Sequence, residues 1–174
     1  MSNQKPIETM NDAELVFACV EPVIRKIRGK RFEVKSEVTA SLPPPIRALL
    51  MFQVVYGHAS EGVLRFFSST SYLLERDGMW KAMKGGPRFF RDDRLSCLMG
   101  DLESLYNSLF DRMGKDNLGN LDFMLDAVRS DPILADSIAN IDKMLSDTLQ
   151  SSICLVAGHI RRNPNEYMLW EERS

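Results

Sequence analysis

Histidine occurs twice and cysteine three times in these 174 residues, and neither type is paired at ligand spacing. His58 and His159 are far apart with no HxxxH pattern, and Cys19, Cys97 and Cys154 form no CxxC. Zinc and related metals draw on clustered side chains of these kinds, so their scarcity argues against a resident metal, and no cofactor is expected. An odd number of scattered cysteines fits free thiols in a reducing compartment, which makes the cytoplasm the natural location. No stretch approaches the roughly 20 apolar residues needed to cross a bilayer. The opening "MSNQKPIETMNDAEL" also lacks the basic region and apolar core of a secretory leader, so no membrane partner is expected. Internal repeats and low-complexity tracts are absent as well.

What is present is ordinary in amount and uneven in placement. Hydrophobic residues make up 44% and charged residues 26%, the proportions of a soluble globular chain of a length that favours one domain, residues 1–174. The net charge of −2 conceals a division: residues 1–91 hold 14 basic and 9 acidic residues, net +5, and residues 92–174 hold 8 and 15, net −7. Such asymmetry points to a partner of opposite sign, or to a homodimer whose two halves satisfy each other. Six bases fall between Arg25 and Lys35 in "RKIRGKRFEVK", the density of a phosphate-binding patch. A helix C-terminus followed by a solvated loop explains them as well, and the acidic balance of the whole chain argues against direct nucleic-acid binding.

The periodicities predict an all-α chain, a multi-helical bundle of about six to eight helices. "NDAELVFACVEPVIRKIRGK" has a capping Asn11, early acids and late bases, with Pro22 expected to kink or break it near Glu21. Residues 1–41 therefore read as an N-terminal helix and a basic loop. Phe32–Val38 alternates weakly enough to allow a short strand or an irregular loop before three prolines. Pro45 suits the first turn of an apolar, central helix. Ser60 is expected to cap a short helix through Phe67, Ser68–Ser71 to loosen the chain, Tyr72–Met83 to resume helix, and Gly85-Gly86-Pro87 to turn it. Leu95, Leu98, Met99, Leu102, Leu105, Tyr106 and Leu109 recur at helical spacing, with Asp93 and Asp111 directed away from them and Asp101 to one side. Asp122 and Asp126 lie one turn apart on the next helix, and Asp136 and Asp147 share an outer face of the last long one.

Catalytic patterns are weak. Ser68, Ser69 and Ser71 have no GxSxG around them, and "KGGPR" holds two glycines and flanking bases without the full spacing of a phosphate loop. An enzyme or small-molecule-binding domain would have its polar site near Glu61, Arg65 and Ser68–Ser71. The other reading is a non-enzymatic interaction protein with an acidic face made of Asp93, Asp101, Asp111, Asp122, Asp126, Asp136 and Asp147.

Three stretches together carry a family resemblance: "LPPPIRALLMFQVVYGHASEGVLRFFSST", "GGPRFFRDDR" and "LVAGHIRRNPNEYM". Over about residues 42–168 the chain resembles the bacterial domain of unknown function related to the neisserial DNA-mimic protein. In that family a helix rich in apolar residues leads to an Asn-Gly-Gly-Phe element, a Gln-Phe-Phe element and a small polar turn. Gly62, Phe66 and Phe67 match its glycine and paired aromatics, and Pro164, Glu166 and Tyr167 match its closing motif. Ser60-Glu61 stands where Asn-Gly is expected, Val63 replaces the aromatic, and Arg65 replaces glutamine. The resemblance implies a regulator that presents carboxylates to a basic or DNA-binding protein, with Gly62, Phe66 and Phe67 joining helices.

Overall fold

The computed structural model describes residues 9–114 and 117–168. Among these residues there are nine helices and no strand. They are α1 (Asp12–Ile27), α2 (Phe32–Ser41), α3 (Pro44–Ala59), α4 (Val63–Leu74), α5 (Met79–Phe89), α6 (Asp93–Met113), α7 (Leu121–Arg129), α8 (Pro132–Arg162) and α9 (Asn165–Met168). The chain is an all-α bundle, as its periodicities predict. The count exceeds the expected six to eight because α2 and the single turn α9 are also helical. No helix of the described residues is long and apolar enough to cross a membrane.

Helix α3 is the hub. It packs against α1, α4, α5, α8 and α9, and Leu49, Phe52 and Val55 are completely buried along it. The 31-residue α8, about 46 Å long at 1.5 Å per residue, lies against α1, α6 and α7. One apolar core runs from Leu15 to Tyr167. Between α4, α5 and α6 it is aromatic: Tyr106 stands edge-on to Phe67 at 5.2 Å and against Trp80 at 5.7 Å. Its hydroxyl is buried without a hydrogen-bond partner among the described residues, and burial pushes that phenol up to about 12.

Local chemistry explains most boundaries. Asn11 and Glu14 form a reciprocal cap at the start of α1. The helix continues through Pro22, where a break near Glu21 is expected; the carbonyl that loses its donor belongs to Ala18, on the exposed side, where water can replace the bond. Asn120 and Asp131 cap α7 and α8, with Pro132 in the first turn of α8. Pro44 and Pro45 open α3 in the same way.

Several local expectations are overturned. Residues 32–38 are neither strand nor loop: with no second strand to pair with, their backbone groups are satisfied within α2. Ser60 ends α3 and does not cap the next helix. The N-terminus of α4 is capped from a distance, by Asp142 of α8, whose Oδ1 accepts from Val63 N at 2.7 Å. Ser68–Ser71 do not loosen the chain; their hydroxyls bond back to carbonyls one turn earlier inside α4, satisfied without leaving the helix.

Gly85-Gly86-Pro87 does not turn the chain either; all three lie within α5. The reversal comes four residues later. Asp92 N donates to Pro87 O and Arg91 N to Arg88 O, with Arg91 at φ 61°, which is the Schellman pattern with arginine in place of the usual glycine. Gly86 is buried where α5 crosses α3, and a Cβ there would stand 2.9 Å from Met51 Cβ. Packing, not turning, is what that glycine permits.

Candidate functional site

The residues of the sequence-level readings separate into three places. The carboxylates Asp93, Asp101 and Asp111 are exposed on α6, Asp122 and Asp126 on α7, and Asp136 and Asp147 on α8. Each follows from amphipathicity, since the apolar stripe of its helix faces the core and leaves the acids in solvent. Asp93 and Asp111 are separated by five full turns, hence on one line about 27 Å long. Asp136 and Asp147 differ by only about 20° around α8. Asp126 pairs with Arg129 at 3.2 Å. The other six make no ion pair among the described residues. Between α6 and α8 the neighbouring Asp131 is neutralised instead, by Arg112 at 2.6 Å. Its carboxyl is held below the ordinary range by the Leu134 backbone N–H and by Arg112.

Glu61, Arg65 and Ser68 do come together, but on the open surface. Arg65 Nε lies 3.8 Å from Glu61 Oε2 one turn away, and these side chains are 61% and 72% exposed. Ser68 donates to the Arg65 carbonyl at 3.2 Å. This is an exposed strip at the start of α4, without the enclosure that would desolvate a reacting group. Among the described residues no three His, Cys, Asp or Glu side chains converge closely enough to hold a metal ion.

The resemblance residues have architectural positions. Gly62 precedes α4 at φ 100° and ψ 167°, a conformation essentially restricted to glycine, and a Cβ there would meet the Asp142 carboxylate at 3.2 Å. Phe66 and Phe67 are completely buried. At the other end Tyr167 is buried against His159, whose ring is also flanked by Phe89 and Phe90 at 5.7 and 5.3 Å. Burial raises the Tyr167 phenol well above its ordinary value, and its hydroxyl has no partner among the described residues. Glu166 stays exposed, 3.9 Å from His159 Nε2, and Pro164 begins the turn into α9.

Sequence reasoning misses a cleft of about 370 Å³ between α2, α3, α4 and α5. His58 at its edge accepts or donates a hydrogen bond with Ser69 Oγ at 3.2 Å, and partial desolvation lowers its pKa, keeping the ring neutral at pH 7. Phe32, Lys35, Ser36 and Thr39 recur at helical spacing, and all four line the cleft. A smaller hollow of about 240 Å³ lies beside Gly62, but its carboxylate, Asp142, is already engaged in capping α4.

No family model, curated protein or solved structure matches this chain.

Proposed function

We propose that the chain is a non-enzymatic interaction protein that engages a basic partner through the carboxylates of α6, α7 and α8. The observation that carries this reading is that six exposed aspartates on three successive helices make no ion pair among the described residues. Exposed carboxylates of one sign, left unneutralised, raise the local potential and steer a cationic surface toward them. The motif resemblance favours a DNA-binding protein as that partner.

The spacing limits how far mimicry extends. Duplex DNA carries about one charge per 1.7 Å of axis, whereas Asp93, Asp101 and Asp111 spread three charges over about 27 Å of α6. The surface is thus a sparse acidic contact rather than a replica of a duplex. The test is capture from native lysate at low and high salt, with duplex DNA added as competitor and light scattering on the free protein. A basic partner held at low salt, and released both by high salt and by duplex DNA, is the expected result. A partner indifferent to salt, or a protein that only self-associates, would remove the basis for the reading.

A further inference from the structure

The cleft beside α2 lies away from the acidic helices and has its own chemistry. Its walls are apolar: Ile27 of α1, Leu50 and Val54 of α3, Leu73 of α4, and Met79 and Ala82 of α5. A second hollow of about 340 Å³ adjoins it, with Ile27, Lys35, Leu50, Val54 and His58 lining both. That second part opens between the end of α1 and α3, at Arg28, Gly29 and Gln53. Among the described residues no carboxylate lines it, and the first part has only Asp77. The chain therefore forms an apolar chamber with a cationic mouth, Lys35 standing where the two meet and Arg28 outside it. This gives a structural role to two bases of the stretch from Arg25 to Lys35, namely Arg28 and Lys35.

Helix α2 covers the chamber in an unusual way: none of its residues is buried. Its side toward the cleft is Phe32, Lys35, Ser36, Thr39 and Ala40. It is tied to the far wall by two contacts of cation on ring, Arg76 over Phe32 at 4.5 Å and Lys35 Nζ at 6.0 Å from the Tyr72 centroid. Contacts of this kind at exposed sites contribute only about 0.5–1 kcal/mol each. A helix that encloses apolar space without filling it gains burial when something else fills that space.

We infer that this cleft is a binding site for a small anionic amphiphile, a molecule with a medium-length apolar body and a carboxylate or phosphate head. The body lies between α3 and α5 under α2, and the head meets Lys35 and Arg28. The volume is at the small end of the range for ligand pockets, about 300–1,000 Å³, which suits a free monomeric amphiphile rather than a bilayer surface. The mechanism is divided by place: apolar burial supplies the affinity, and the cationic mouth selects the sign of the head.

Decanoate and decyltrimethylammonium, titrated below micelle formation by calorimetry, have the same chain and opposite heads. Decanoate binds the wild-type protein with one site, and the cation binds at least tenfold more weakly. Lys35→Glu weakens decanoate at least tenfold, while Lys81→Glu, exposed on α5 and outside the lining, leaves it unchanged. Ser36→Trp, which fills the chamber from the exposed helix, removes decanoate binding with helical circular dichroism retained; Ala82→Phe does so from the opposite wall. Equal binding of the two heads, no binding of either, insensitivity to Lys35→Glu, or binding to phosphatidylglycerol vesicles without uptake of monomeric decanoate would each overturn the proposal.

Discussion

Adjacent glycines 85 and 86 should respond oppositely to the same substitution. A Cβ at Gly85 meets nothing within 4 Å, so Gly85→Ala changes only the helix's own preference and should stabilise by about 0.5–1 kcal/mol. At Gly86 the added carbon would stand 2.9 Å from Met51 Cβ, 3.1 Å from the Ala48 carbonyl oxygen and 3.2 Å from Phe52 N. Carbon atoms in good contact are about 3.5–4.0 Å apart, and none of these three atoms is the movable end of a side chain. Helices α3 and α5 must separate, at about 1–3 kcal/mol for overpacking. Pro87 adds to the cost by disfavouring helical geometry in a non-glycine residue before it. The two variants should therefore differ by about 2–3 kcal/mol, at least a tenfold change in the unfolding constant. Urea unfolding followed by circular dichroism measures this, provided the denaturant dependence m is common to both. A Gly86→Ala protein as stable as Gly85→Ala would refute the α3–α5 crossing and restore a turn at these residues.

Other consequences concern single contacts. Asp142→Ala should cost about 1 kcal/mol by removing the cap on α4, with Asp142→Asn recovering most of it; equal losses in the two variants by urea midpoint would mean that the bond to Val63 N is not the cause. Arg91→Gly relieves a left-handed residue at the end of α5 and should raise the midpoint by the equivalent of up to about 1 kcal/mol; a lowered midpoint would contradict the Schellman ending. The Arg161 hydrogen bond at 2.6 Å, with a further one from Cys154, holds the Asp12 carboxyl below its ordinary 3.8. Its contribution is complete above that pH and is lost as the pH falls through the lower folded value. The midpoint gap between wild type and Asp12→Asn should thus be present at about pH 6 and shrink as the pH falls below 3.8; a gap independent of pH would rule out the pair.

Legibility in the sequence followed the range of the forces involved. α6 could be read because its seven apolar residues need only one continuous partner surface, and α3 because its prolines and largely apolar sequence are local signals. α2 could not, since Phe32–Val38 has no apolar stripe and its helix depends on contacts to Arg76 and Tyr72, some 40 residues away. Gly85-Gly86-Pro87 carries a strong local turn signal that the α3–α5 crossing overrides. The exposed positions of the seven aspartates were legible from helix geometry. The cleft was not, because five helices contribute to it and no single segment records its apolar and cationic parts together.

The reading of the acidic helices is tested most directly by reversing Asp111, Asp122 and Asp126 to Lys and repeating capture of the basic partner at low salt, with circular dichroism on the same samples. The account predicts that the folded variant retains its helical signal and loses the partner. A folded variant that captures the partner as well as the wild type would contradict it.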